Sequence, residues 1–125
     1  MEYITLSNGV KMPILGFGAM IDAADAKRCV LEAIACGYRL IDTAQAYANE
    51  EQVGEAILEC GVPRGELFLT TKVWITNAGY EKAKVSIEES LRKLKTDYID
   101  ARVIIRPSQR NPVKSRVEPD LVLLF

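Results

Sequence analysis

Apolar positions along this chain alternate between a two-residue and a three-to-four-residue period, and each switch marks an element. Two short β-like runs, Tyr3 to Leu6 and Val10 to Met12, flank Ser7-Asn8-Gly9. Asn-Gly between such runs signals a hairpin, because both residues tolerate positive φ. Pro13 is expected to stop that pairing, and Ile14 to Phe17 reads as a buried strand ending at Gly18. Asp22 or Asp25 can cap the next segment, where Ala26, Val30, Ala33, Ile34 and Gly37 recur at the helical period. Gly37 suits the left-handed position just past a helix end. Tyr38 to Ile41 predicts a second strand, followed by a loop through Ala48. Asn49 then caps a helix, with Gln52 three residues on as in a capping box and Glu50 and Glu51 favouring its dipole. Val53, Ala56, Ile57 and Cys60 line one face of that helix, and Gly61 with Pro63 ends it. Leu67 to Thr71 is a third strand. Tyr80, Ala83, Ile87, Leu91 and Leu94 mark a third amphipathic helix, and Tyr98 to Ile105 a fourth strand that Arg102 interrupts.

The predicted order is a hairpin followed by β-α-β-α-β-α-β. Strands alternating with helices imply an α/β fold, a parallel sheet with helices outside it. The pattern changes after Asp100. Arg102, Arg106, Arg110, Lys114 and Arg116 alternate with Pro107, Ser108, Asn111 and Pro112, and neither period survives past Pro107. Residues 1–105 therefore form one expected unit and residues 106–125 an irregular tail. The basic spacing of that tail lacks the aromatic interleaving of a nucleic-acid arm until Phe125.

Composition narrows the function classes. A length of 125 residues suits one domain, and a net charge of −1 offers no attraction to nucleic acid or an anionic membrane. Met1-Glu2-Tyr3-Ile4 lacks the regions of a secretory signal, and Leu121-Val122-Leu123-Leu124-Phe125 is far too short to cross a bilayer. Cys29, Cys36 and Cys60 are an odd set without CxxC spacing and read as small buried apolar side chains. With the absent signal they point to a reducing cytoplasm. The chain has no histidine, which removes the commonest zinc ligand and the commonest general base; no metal site is expected.

In parallel α/β folds, ligands sit at the C-terminal ends of the strands. The first strand delivers Gly18 there, the second Asp42 with Tyr47 in its loop, and the third Lys72. Singly, these could be a turn residue, a half-buried aromatic and a rim charge. Together they bring an acid, a phenol and an amine to one face. A phenol with a pKa of about 10 is a poor acid at neutral pH. A neighbouring ammonium favours the phenolate, and a carboxylate beside the ammonium keeps it protonated and in place. Such a trio suits protonation of a carbonyl oxygen as it becomes an alkoxide.

The run Gly37-Tyr38-Arg39-Leu40-Ile41-Asp42-Thr43-Ala44, then Tyr47, Asn49-Glu50 and Val53-Gly54, resembles the signature of the aldo-keto reductases. Leu6-Ser7-Asn8-Gly9 with Met12-Pro13, Gly16-Phe17-Gly18 and Thr71-Lys72-Val73-Trp74 follow the same family, so the resemblance covers residues 3–100. It implies a (β/α)8 TIM barrel, of which this chain holds the N-terminal hairpin, about four strands and three helices. The implied reaction is reversible, NADPH-dependent reduction of an aldehyde or ketone to an alcohol. Tyr47 would be the proton donor, with Lys72 and Asp42 as its tuning pair. Gly18 and Asp42 would lie near the nicotinamide end of the cofactor. Trp74 with Tyr47 would face the substrate, the alternative for Trp74 being a core aromatic. The family carries a histidine at the end of strand four, shortly before a proline. Pro107 keeps that register, and Ile105 stands in the histidine's place. The loops that hold the cofactor's phosphates and adenine come late in the barrel and have no counterpart here.

Three readings follow. The first is a truncated or frame-shifted relative of a carbonyl reductase, inactive alone. The second is a non-catalytic half-barrel used for binding or assembly. The third, a lysine-dependent (β/α)8 aldolase, is disfavoured by the long signature around Asp42. In the first two, four strands of eight cannot close a barrel, so either self-association through open sheet edges or a partly folded state that aggregates is expected.

Overall fold

A computed structural model describes residues 1–106 and, at the far end, residues 120–124. It begins with strands β1 (Tyr3–Thr5) and β2 (Lys11–Pro13), paired antiparallel with Tyr3 opposite Pro13. The turn is the three-residue loop Ser7-Asn8-Gly9. The Leu6 N–H donates to Val10 O at 2.8 Å, and Gly9 alone takes a positive φ, of 84°. Asn8 contributes through its side chain, whose Oδ1 accepts the Val10 N–H at 3.1 Å. Nor does Pro13 stop the pairing, because Ile14 N–H donates to Glu2 O beyond it. A missing N–H costs little on the solvent side of an edge strand.

The main sheet follows the predicted alternation. Strand β3 (Gly16–Gly18), helix α1 (Ala23–Ala35), β4 (Leu40–Asp42), α2 (Glu50–Glu59), β5 (Phe68–Val73), α3 (Tyr80–Lys93) and β6 (Ala101–Arg106) succeed one another. β3, β4, β5 and β6 pair parallel in that order. Alternation along each strand sends Ile41 and Leu69 toward the helices, where they pack with Val30, Ile34, Val53 and Leu94. Gly37 ends α1 with φ 102°, as its position predicts. Asp22 and Asn49 stand at the starts of α1 and α2, but neither side chain caps its helix. Of the cysteines, Cys29 and Cys60 are half-buried and Cys36 is exposed, at the C-cap of α1 just past the end of its buried stripe at Ile34.

The bottom of the sheet is locked by Arg64. Its guanidinium bonds Asp100 Oδ2 and Leu67 O, both at 2.8 Å, and lies 4.0 Å over the Tyr98 ring. A cleft of about 410 Å³ separates the β1–β2 hairpin from Arg39, Leu67, Phe68 and Asp100, which stand before or at the strand beginnings. The hairpin therefore lies at the end of the sheet opposite Asp42 and Lys72.

Residues 120–124 depart from the expected irregular tail. They form β7 (Asp120–Leu124), antiparallel to β6 with Ile105 opposite Leu121. An apolar run of strand length can take the free edge of β6 once the chain returns to it. Pro107 and the basic stretch from Arg110 through Arg116, with Ser108, Asn111 and Pro112, lie outside the described residues, as does Phe125. Among the described residues no helix is long and apolar enough to cross a membrane.

Candidate active site

Sheet register brings the predicted residues together. Gly18 pairs with Asp42 and Asp42 with Thr70, so these positions share a face at the strand ends. Lys72 is two residues further along β5 and returns to the same face. Its Nζ lies 2.5 Å from Asp42 Oδ2 and also donates to Thr43 O at 3.1 Å. The second carboxylate oxygen of Asp42 accepts the Thr70 hydroxyl. The pair is partly shielded, with side-chain exposures of 17% for Lys72 and 33% for Asp42. In such surroundings two charges attract more strongly than in bulk water, and their geometry is held by the additional donors.

Tyr47 reaches this pair from the loop after β4. Gln45–Tyr47 forms a single 3₁₀ turn, and Ala48 leaves it in the left-handed conformation with φ 53° and ψ 30°. Lys72 Nζ lies 5.2 Å from the centre of the half-buried Tyr47 ring, within reach of a cation–π attraction. Trp74 follows β5 directly and is 40% exposed, which a core aromatic would not be. Gly18 lies at the open end of β3, where an added Cβ would meet nothing within 4 Å.

Several supports were not legible as site residues. Asn49 is fully buried, and its side chain donates to Ala19 O and Ile21 O at 2.7 and 2.8 Å while accepting from Thr43 Oγ1 at 2.9 Å. It thus ties the loop after β3 to the loop carrying Tyr47 instead of capping α2. Glu50 is 3% exposed at the first turn of α2, where its carboxyl accepts from Thr71 Oγ1 at 2.6 Å and Ser90 Oγ at 3.2 Å. The N-terminal end of the helix favours negative charge there. The only sequence signal for either was its place in the signature.

A family profile for the aldo/keto reductase family matches residues 13–118, most of the chain. The chain belongs to that family. It is 47% identical over 107 residues to morphine 6-dehydrogenase of Pseudomonas putida, covering 85% of this chain and 36% of that protein. It is 46% identical over 109 residues to a Trypanosoma cruzi 9,11-endoperoxide prostaglandin H2 reductase, covering 86% and 38%. Among solved structures, an aldo/keto reductase from Brucella melitensis superposes with a TM-score of 0.81 at 44% identity, covering 83% of this chain and 40% of that one. A Bombyx mori aldo-keto reductase in complex with NADP superposes with a TM-score of 0.79 at 37% identity, covering 86% and 40%. The chain thus spans well under half the length of these relatives, and its fold is part of an aldo-keto reductase (β/α)8 barrel. Within this reductase fold, Ile105 sits in β6 two positions past Val103, the register partner of Lys72.

Proposed function

We propose that this chain carries the proton-donating part of an NADPH-dependent aldo-keto reductase that converts aldehydes or ketones to alcohols. The observation that supports it most directly is Lys72 Nζ placed between Asp42 Oδ2 and the Tyr47 ring, at 2.5 and 5.2 Å. In this reading Asp42 holds the ammonium in position, and the ammonium favours negative charge on the Tyr47 oxygen as its proton leaves. Tyr47 gives that proton to the carbonyl oxygen of the substrate. Trp74, exposed beside the turn, forms one wall of the substrate pocket. The open Cβ position at Gly18 and the part-exposed Asp42 beside it leave room for the nicotinamide end of the cofactor. The reduced nicotinamide would supply the hydride to the carbonyl carbon. Lys72 is already paired with Asp42, so binding of the cofactor's phosphates is assigned to later barrel loops.

The test is to graft residues 1–100 onto the later strands of a complete aldo-keto reductase. Reduction of a nitrobenzaldehyde with NADPH should return and should disappear in Tyr47→Phe. A folded graft without turnover, or one indifferent to Tyr47→Phe, would refute the reading. The 125-residue chain alone should show no turnover, since an oxyanion donor of the family is replaced by Ile105 and its loss typically costs on the order of 10²–10³ in rate.

A second reading, a half-barrel used for binding or assembly, is favoured by β7, which gives β6 a pairing partner without any later barrel strand. A chain that folds as a stable species with no affinity for NADPH would favour it.

A further inference from the structure

We propose that Gln45 is a positioning residue, whose side-chain amide fixes the spacing between the Tyr47 turn and Trp74. The inference rests on the reading above of Tyr47 as donor and Trp74 as pocket wall. Gln45 is half-buried in the same 3₁₀ turn as Tyr47. Its Nε2 donates to Ser86 O and to Ser90 Oγ, both at 3.0 Å. Its Oε1 accepts the Trp74 N–H at 3.0 Å and Asn77 Nδ2 at 3.2 Å. A primary amide offers two donors and two acceptor sites, and all are used. The orientation follows from the partners: turning the amide over would set its NH₂ against the Trp74 and Asn77 donors.

One side chain therefore ties three segments that no strand ladder connects. These are the turn bearing Tyr47, the segment from Trp74 to Asn77, and α3. The tie continues into the sheet. Ser90 Oγ, which accepts from Gln45, donates to Glu50 Oε2 at 3.2 Å, and Glu50 Oε1 accepts the hydroxyl of Thr71, the neighbour of Lys72. Tyr47 and Lys72 are thus linked through Gln45, Ser90, Glu50 and Thr71 as well as by their direct approach. Trp74 itself is anchored to this network through its backbone, while its side chain faces solvent. Without Gln45 the wall and the proton donor would move independently, and small misplacements of reacting groups have large kinetic effects.

The chain contains one tryptophan, so its fluorescence reports Trp74 alone. Gln45→Met preserves length and apolar volume and removes all four hydrogen bonds. In the 125-residue chain it should speed hydrogen exchange of the Trp74 amide about tenfold and raise acrylamide quenching of the indole, as a lost hydrogen bond to that amide implies. Val30→Ala, in the α1 core, serves as the control for general loosening. If Val30→Ala speeds Trp74 exchange as much as Gln45→Met, or Gln45→Met leaves it unchanged, the proposal is overturned. Should Gln45→Met fail to fold, Gln45→Glu keeps the acceptor facing Trp74 and loses the donors. Its Trp74 amide should stay protected, and fast exchange there would overturn the proposal equally. Neither measurement uses NADPH or a carbonyl compound, so failure of the reductase reading would leave both results interpretable.

Discussion

Lys72 Nζ and Asp42 Oδ2 meet at 2.5 Å across adjacent parallel strands, from positions offset by two residues in the register. The offset means that the Lys72 side chain leans back along the strand to reach the carboxylate, passing under the Tyr47 loop, where Thr43 O takes a second bond. In the grafted reductase, Lys72→Met should lower kcat by about 10²–10⁴, the range of a lost acid–base contribution. Affinity for NADPH should change little. Equal losses in kcat and cofactor affinity would assign Lys72 a binding role instead.

Gly54 is where α2 meets the end of α3. A Cβ at this position would lie 2.5 Å from Lys93 O and 2.7 Å from the Leu94 carbonyl carbon, both backbone atoms that cannot rotate away. Gly54→Ala should therefore destabilise the fold by about 1–3 kcal/mol, despite the better helix propensity of alanine. At Gly16 the added atom would meet the end of the Leu40 side chain, which can turn aside, so Gly16→Ala should cost less. Urea midpoints of the two variants at constant m decide the comparison; equal midpoints would contradict it.

Ala48 and Lys95 both hold φ at 53°, in the left-handed region where a Cβ crowds the following carbonyl. Replacing either with glycine should stabilise the chain by about 0.5–1 kcal/mol, relief of strain exceeding the added freedom of the unfolded chain. The two substitutions are expected to differ in a second respect. Ala48→Gly loosens the exit of the Tyr47 turn and should broaden Tyr47 ring resonances, whereas Lys95→Gly should leave them sharp. A melting point lowered by Lys95→Gly would show that the strain account is wrong there.

Much of this architecture was legible because burial imposes a period. The α1 stripe Ala26, Val30, Ala33 and Ile34 is buried as its spacing predicts, and Asp42, Tyr47 and Lys72 stand near one another at the strand ends, as their positions in the pattern suggest. What the sequence pattern does not show depends on partners distant in sequence. β5 runs to Val73, two residues past its apolar pattern, because Lys72 and Val73 find Val103 and Ile104 on β6. Asn49 has the residue type and place of a helix cap, yet its acceptor oxygen is taken by the Thr43 hydroxyl while its NH₂ donates to Ala19 O and Ile21 O. β7 was hidden because Pro107 and Pro112 break the pattern before it and its pairing is supplied by β6. Gln45 has no period at all; only the meeting of three segments gives it a role.

The remaining question is what the open edges of this sheet do in solution. β7 pairs with β6, so among the described residues the parallel end of the sheet is left at β3, which pairs with β4 alone. That edge is only three residues long, which weakens it as a template. Its flanks act in the other direction: Ile14 and Leu15 precede β3 at 54% and 55% exposure, and Met20 follows it at 80%. Apolar surface gains roughly 25 cal/mol per Å² when covered, so a second copy laid along β3 would hide these side chains and satisfy the edge together. The chain should therefore self-associate at micromolar concentration, with a sedimentation coefficient that rises with concentration. Leu15→Lys places a charge beside the edge, a common natural guard against pairing, and should shift the population toward monomer. A chain cut after Arg106 should associate more strongly, since it exposes the β6 edge as well. Were the intact chain monomeric at every concentration, the self-association would be refuted; were it to associate with Leu15→Lys without effect, the β3 edge would not be the contact, and the outer edge of β7 would be the next to block.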